Sequence, residues 1–248
     1  MKKVFLLLLF VAVLASCKSD DDSTSSALVQ FQFSQNWDGT AVTASDINNT
    51  VYTNENGEEL KIARLRYLLS RFQLSSADGS NTLLNTYQLI DLSDASTMES
   101  DSQVTVPEGT YTVSMVYGFN DEDNVDGAYA DLNAASWNWP MMLGGGYHFL
   151  QFDGTYNVNS SEPKPFNFHN GTARVSEGVF ESNFVEVDLG TITIDGDTTI
   201  NIQMNIAEWF KNPNTWNLNE LDTPLMPNYE AQIMMHENAQ SVFSINQN

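Results

Sequence analysis

The sequence contains a single cysteine, Cys17, among its 248 residues. A lone cysteine cannot close a disulfide within the chain, and it cannot supply the several thiolates of a structural metal site. Its position at the end of an apolar N-terminal segment indicates a role in processing of the chain, not in catalysis. Disulfide-stabilised folds, thiolate metal sites and cysteine-dependent hydrolases are therefore excluded.

Positive charge is also scarce, because 10 Lys and Arg residues stand against 32 Asp and Glu, for a net charge of −22. Such a surface repels the phosphates of nucleic acids and anionic lipid headgroups. We therefore expect no nucleic-acid partner. The acidity either attracts cations or only keeps the protein soluble.

Several catalytic signatures are missing. The sequence has no haem-attachment motif, no glycine-rich phosphate-binding loop, no nucleophile elbow and no zincin motif. Asp and Glu pairs are too numerous to exclude a glycosidase. We expect a protein that is not an enzyme, with a hydrolase as the weaker alternative.

Residues 1–17 have the layout of a bacterial lipoprotein signal peptide. Lys2 and Lys3 precede an apolar run at 4–13 that is too short to span a bilayer, and Leu14-Ala15-Ser16-Cys17 has the form of a lipobox. Cys17 would then be the first mature residue and carry the lipid, which anchors the protein to the outer membrane.

Residues 18–27 form an acidic and polar tether that cannot pack into a core. Its acidic run resembles the surface-export signal of Bacteroidetes lipoproteins. A plain solvated spacer, which leaves the protein facing the periplasm, is the alternative. The sequence therefore predicts an outer-membrane lipoprotein that faces either the periplasm or the cell surface.

The remaining chain, residues 28–248, alternates between apolar and polar residues in short segments. Residues 29–34 place Phe31 and Phe33 on one face, as a half-buried strand requires. About ten such strands, with turn signals at intervals of roughly 8–12 residues, predict one all-β domain, an antiparallel β-sandwich with long loops. Residues 230–243 have helical spacing and predict a short helical C-terminal segment.

The segment 62–74 has an ambiguous period that fits either a strand with a bulge or a short helical turn. It carries Arg64, Arg66 and Arg71, a large share of the scarce positive charge. In so acidic a chain we expect these arginines to form buried pairs with carboxylates.

Residues 135–154 combine Trp137 and Trp139 with a glycine triplet and His148. Two tryptophans one residue apart lie on the same face of an extended chain. Pro140 and Gly144-Gly145-Gly146 forbid a regular helix and predict a shaped loop that leads into a strand. On residue types alone, a buried aromatic corner is the simplest interpretation.

Residues 120–131 contain five carboxylates around Asn124 and Gly127. The loop resembles a calcium site but departs from the EF-hand pattern, because Val125 stands where an oxygen ligand belongs. A calcium ion bound at 120–131 and a solvated acidic loop are the two alternatives.

An ordered series of short motifs spans residues 28–245. The series is Phe31-Gln32-Phe33, Trp37-Asp38-Gly39, Arg64-Leu65-Arg66-Tyr67-Leu68-Leu69-Ser70, Tyr87-Gln88-Leu89-Ile90-Asp91, Gly109-Thr110-Tyr111, Gly118-Phe119-Asn120, Trp137-Asn138-Trp139, Gly146-Tyr147-His148-Phe149, Phe168-His169-Asn170-Gly171 and Met234-Met235-His236. No motif is specific by itself, but their order is, and the ordered set resembles the MbnP-like copper-binding family.

The resemblance implies a mononuclear copper site on a β-rich domain, with His148, His169 and His236 as candidate ligands. In some relatives a separate dihaem enzyme of the MauG type oxidises a tryptophan to kynurenine, which helps to bind copper. Trp137 and Trp139 are the candidates here, one of them and not both.

Imidazoles suit copper in either oxidation state, and thioethers from nearby methionines would favour Cu(I). The methionines in these segments are Met141, Met142, Met234 and Met235.

Gln35 departs from the family pattern, which often has a histidine just before the Trp-Asp-Gly turn. This departure argues for weaker copper binding. The competing hypothesis is a surface module that binds glycans or a partner protein. It requires widely separated histidines and exposed indole rings at Trp137, Trp139, Trp209 or Trp216.

Overall fold

The computed structural model describes residues 25–84, 87–100 and 103–247. The predicted signal peptide, the lipidation site Cys17 and most of the tether lie outside these residues. The first strand begins at Ser26, not at residue 28, and Ala27 is already buried. The folded domain therefore includes the end of the predicted tether.

Strands account for most of the regular structure. They are β1 (Ser26–Trp37), β2 (Thr40–Val42), β3 (Tyr52–Thr53), β4 (Glu59–Ser76), β5 (Asn81–Leu83), β6 (Tyr87–Asp91), β7 (Val104–Pro107), β8 (Gly109–Tyr117), β9 (Leu150–Tyr156), β10 (Lys164–Asn170), β11 (Ala173–Ser176), β12 (Val179–Glu181), β13 (Val185–Ile194), β14 (Thr198–Asn205) and β15 (Phe243–Gln247).

Helices are few and short. Among the described residues two are α-helical, α1 (Ala130–Ala134) and α2 (Tyr229–Val242), and single 3-10 turns occur at Ala44–Asp46, Ala95–Thr97, Met141–Leu143 and Ile206–Phe210. None of the helices in the described part of the chain has the length and apolar character needed to cross a bilayer.

Two main sheets pack face to face. The smaller one has the order β15-β14-β1-β2, with β7 also paired to β1. The larger one has the order β10-β9-β4-β8-β13, and the short strands β3, β5 and β6 pair along β4. The strands β11 and β12 form a separate two-stranded hairpin.

The core lies between the sheets because each inner face carries the apolar half of an alternating pattern. The buried face of β1 includes Phe31 and Phe33, and both rings contact Phe72 of β4, at centroid distances of 4.9 and 5.7 Å. Burial of one such side chain stabilises the fold by roughly 1.5–3 kcal/mol. The predicted all-β sandwich and its inward phenylalanines are confirmed.

One strand pair differs from the antiparallel expectation. The strands β1 and β14 run parallel, from Val29 opposite Thr198 to Asn36 opposite Asn205. A parallel pair needs a long crossover, and here most of the chain lies between the two strands. Alternation predicts which face of a strand is buried, but it carries no information about the direction of its neighbour.

The ambiguous segment 62–74 lies within the long central strand β4, and its register shifts between Ile62 and Arg64 and again between Ser70 and Gln73. Arg71 occupies the second bulge with a positive φ of 51°. Of the two alternatives that the sequence left open, the structure shows the bulged strand.

All three arginines of β4 pair with carboxylates, but the pairs lie closer to solvent than predicted. Arg64 pairs with Asp153, Arg66 with Asp91, and Arg71 with Glu122 and Asp123. The side chain of Arg64 is 45% exposed. Arg66 alternates with the buried Leu65 and Tyr67, so its side chain lies on the other face of β4 from theirs. Arg64 and Arg71 lie at the two register shifts, and both side chains are at least 40% exposed.

Gly154 of β9 provides a test of this packing. A Cβ atom there would overlap the carbonyl oxygen of Lys61 and approach the Phe166 ring to 2.5 Å. Since both neighbours belong to adjacent strands, we expect Gly154→Ala to lower the free energy of unfolding by about 3 kcal/mol in a denaturant titration.

Gly109→Ala is the matched control, because its Cβ would meet only Tyr111 at an ordinary 3.7 Å. Equal stability of the two variants would contradict the tight approach of β4, β9 and β10.

Candidate metal centre

His148 lies in a pocket of aromatic rings at the end of the 135–154 segment, and it is 6% exposed. Its ring centroid is 5.5 Å from Trp137, 4.8 Å from Trp139 and 5.3 Å from His169. Both indoles of the alternating tryptophan pair therefore contact the same imidazole, as a common face predicts.

A compact turn folds the segment back on itself. The backbone N–H of Trp139 donates to the Gly146 carbonyl at 2.9 Å, and the backbone N–H of His148 donates to the Trp137 carbonyl at 2.9 Å. Between them, Gly144, Gly145 and Gly146 all have positive φ, and a Cβ on Gly146 would overlap the Asn124 side chain. The glycine triplet is required because L residues with side chains rarely adopt this conformation.

His169 comes from β10, the edge strand next to β9. Its Nε2 lies 2.8 Å from Oδ1 of Asp153, which is a diagonal neighbour in the register that places Asn167 opposite Asp153. An ionised carboxylate only accepts hydrogen bonds, so Nε2 carries the proton. In the neutral ring, Nδ1 then keeps its lone pair for another partner.

Asp153 is held in its charged form. Burial raises the pKa of this carboxyl, but hydrogen bonds from His169 and Asn167 and the charge of Arg64 outweigh burial and lower the pKa to about 2. The Arg64 Nε–Oδ2 distance is 2.5 Å, and the Asn167 Nδ2–Oδ1 distance is 2.6 Å. A charged carboxylate thus orients the His169 ring at neutral pH.

His148 is held in its neutral form. Burial lowers its pKa to about 3, and the nearby charges of His169 and Arg64 contribute in the same direction. The buried Nδ1 atom has no hydrogen-bond partner among the described residues. A neutral imidazole with an unsatisfied buried nitrogen is costly unless that nitrogen acquires a partner, for example a metal ion.

An open pocket of about 410 Å³ reaches this centre from solvent. His169 and Asn167 form its polar wall, and His148 is not part of the lining. The remaining lining residues are Pro140, Met142, Leu143 and residues 223–227. His169 is therefore the histidine that a solute reaches first.

The MbnP family model matches residues 26–235, most of the chain. The chain belongs to the MbnP family. The solved structure of MbnP from Methylosinus trichosporium is similar to it, with a TM-score of 0.56 at 13% sequence identity. That match covers 90% of this chain and 99% of that one, so the two share a fold. No curated protein matches the chain.

In this MbnP family member the third candidate ligand, His236, has different contacts. It lies on α2, and its Nδ1 is 3.3 Å from the carbonyl oxygen of Asn183. Gln232, one turn earlier, faces the centre instead, and its Nε2 donates to the His169 carbonyl at 2.8 Å. Across the described ranges, no three His, Cys, Asp or Glu side chains form a metal-binding group.

The structure also argues against two alternatives that the sequence left open. The four tryptophans of the surface-module hypothesis are at most 1% exposed, so none presents a stacking platform. The carboxylates of 120–131 do not converge on a calcium site. They bond outwards, Glu122 and Asp123 to Arg71, Asp121 to Ser182 and Asp131 to Tyr87.

Gln35, the departure from the family pattern, is buried in the sandwich. Its Nε2 donates to the Tyr67 hydroxyl at 2.7 Å and lies 3.6 Å from Sδ of Met98. The position therefore serves a polar contact of the core.

The sequence reasoning missed Asp153 and Gln232. Asp153 is an acidic residue in an otherwise largely apolar strand, which is a usable signal for a buried partner. Gln232 gives no comparable signal, because a glutamine on a helix is common at surfaces.

The neutral state of His148 predicts a pH dependence of stability. The unfolded chain binds a proton near pH 6.5 that the folded protein excludes down to about pH 3. Stability contributed by neutral His148 is therefore lost as pH falls below 6.5, by about 1.4 kcal/mol per pH unit. Urea titrations at several pH values between 7 and 4 measure this loss as a decrease in the free energy of unfolding.

In the variant His148→Asn, the free energy of unfolding should lack this loss of about 1.4 kcal/mol per pH unit, whereas His236→Asn should retain it. A His148 ring whose NMR shifts titrate near pH 6.5 in the folded protein would contradict the prediction.

Proposed function

We propose that this MbnP family member binds copper at a site built on His148 and His169, and that it captures or hands over the ion without catalysing a reaction. The observation that carries the proposal is the buried, unpartnered Nδ1 of neutral His148 beside a second imidazole. Copper here is cargo, and the family resemblance is what indicates copper among the metals.

The donor set fits this metal. Imidazole nitrogens are good ligands for copper in both oxidation states. The Asp153–His169 hydrogen bond fits the arrangement in which a carboxylate orients a metal-binding histidine and raises its basicity. A bound ion would also give the buried Nδ1 of His148 the partner that it lacks.

We further propose that the protein works in the cell envelope, anchored by a lipid on Cys17 and facing either the periplasm or the cell surface. The support is the lipobox at residues 14–17 and the acidic tether that follows it. An envelope position would put the histidine site in contact with copper outside the cytoplasm.

A tryptophan beside His148 could add a third ligand after oxidation by a separate dihaem enzyme of the MauG type. Of the two, Trp139 is the better candidate. The Arg66 guanidinium lies 4.9 Å from the Trp137 ring, and a cation there opposes the removal of electrons from that indole. Trp139 has the closer ring contact with His148 and adjoins the pocket through Pro140.

Copper affinity tests the site. In competition with a chromophoric chelator, we expect His148→Ala and His169→Ala to weaken copper binding at least about a hundredfold, and Asp153→Asn about tenfold or more. His236→Ala is the matched control and should leave affinity unchanged. Wild-type binding weaker than micromolar, or unaffected by His169→Ala, would refute the proposal.

Peptide mass spectrometry tests the tryptophan. After co-expression with a dihaem oxidase of this type, we expect the mass change of kynurenine on Trp139 and an unmodified Trp137. Trp139→Phe should then abolish modification, while Trp137→Phe should not. Modification of Trp137 instead would show that Arg66 does not decide the choice.

A further inference from the structure

Two methionines are among the residues that line the pocket leading to His169. Met142 and Met226 both line it, and they come from separate segments: Met142 from the turn after Trp139 and Met226 from the segment before α2. Met142 is 77% exposed, the highest value among the exposed large hydrophobic side chains, and Met226 is half-buried. An apolar side chain held in solvent forgoes the stabilisation of burial, which a ligand role would explain.

Hydrogen bonds hold the walls of this pocket in place. Gln232 Nε2 donates to the His169 carbonyl at 2.8 Å and to the Leu225 carbonyl at 3.2 Å, so one buried amide joins the two walls. Asn167 N–H also donates to the Asp222 carbonyl at 3.0 Å. Met226 therefore follows an anchored residue, Leu225. Met142 precedes Leu143, whose carbonyl accepts the indole N–H of Trp139 at 3.2 Å, and both methionine side chains are flexible enough to adjust to an ion.

We propose that this pocket is the entrance for monovalent copper, and that the Met142 and Met226 thioethers capture Cu(I) before it passes to His169. The inference rests on the proposed function and adds the route by which the ion reaches the site. Thioethers are soft ligands that select Cu(I), whereas Cu(II) prefers nitrogen and oxygen.

The walls of the pocket favour the lower charge as well. Prolines and leucines make up most of the remaining lining. The cost of bringing an ion into such a low-dielectric space rises with the square of its charge, so a monovalent ion enters more readily than a divalent one. The net charge of −22 raises the concentration of either cation near the surface without selecting between them.

The rate of Cu(I) loading tests the entrance. Under anaerobic conditions, Cu(I) is transferred from a chromophoric chelator to wild type, Met142→Leu, Met226→Leu and the double variant in a stopped-flow instrument. Leucine keeps the volume and removes the sulfur. Met141→Leu is the matched control, since Met141 is 69% exposed but does not line the pocket.

We expect the double variant to load Cu(I) about tenfold more slowly, with little change in final affinity, because the thioethers act on the route and the imidazoles hold the ion. The Met141→Leu variant should load Cu(I) at the wild-type rate. The double variant should load Cu(II) at the wild-type rate. The proposal that this pocket is the Cu(I) entrance would be overturned if the double variant loaded Cu(I) at the wild-type rate, or if Met141→Leu slowed loading as much as the double variant does.

A second measurement separates this proposal from the copper site itself. In protein with both His148→Ala and His169→Ala, Ag(I), a redox-inert soft ion, should still shift the NMR signals of the labelled methyl groups of Met142 and Met226, and not that of Met141. If the methyl signals shift but wild type binds no copper, the proposed copper site at the histidines is refuted and the methionine site is not. If wild type binds copper at the histidines and these methyl signals do not shift, the proposed entrance is refuted and the copper site is not.

Discussion

The carboxylate of Asp153 connects three adjacent strands at the edge of the larger sheet. It lies on β9, accepts hydrogen bonds from Asn167 and His169 on β10, and pairs with Arg64 on β4. Gly154 permits this arrangement, because only a residue without Cβ lets β4 and the Phe166 ring approach so closely. The orientation of His169, and with it the candidate metal centre, depends on the register of these three strands.

The second half of the centre is built by a different device. The glycine triplet turns the chain so that Trp137, Trp139 and His148 pack together, and burial among their rings keeps His148 neutral. The two halves have opposite electrostatics, a charged carboxylate behind one imidazole and an apolar cage around the other. This asymmetry suits a site with one histidine towards solvent and one behind it.

Stability and function make different demands at this centre. An unpartnered buried nitrogen at His148 lowers the stability of the metal-free fold, and most of the surrounding core consists of well-packed aromatic residues that offset it. The buried amide of Gln232 also stabilises the fold near His169, because it joins α2 to the backbone of His169 and Leu225. The fold shared with MbnP from Methylosinus trichosporium, at 13% identity, shows that few individual residues are needed for the sandwich itself.

Local patterns in the sequence determined the all-β class, the inward face of β1, the C-terminal helix and the turn at the glycine triplet. Each depends on the periodicity or backbone freedom of neighbouring residues, which a linear pattern contains. Tertiary structure decided which distant residues meet. It brought His169 to His148 and Asp153 but left His236 against Asn183, and it buried the tryptophans that a surface module would expose. These outcomes depend on strand order, on the parallel pairing of β1 with β14 and on the rotation of α2, and contacts between segments far apart in the chain decide all three.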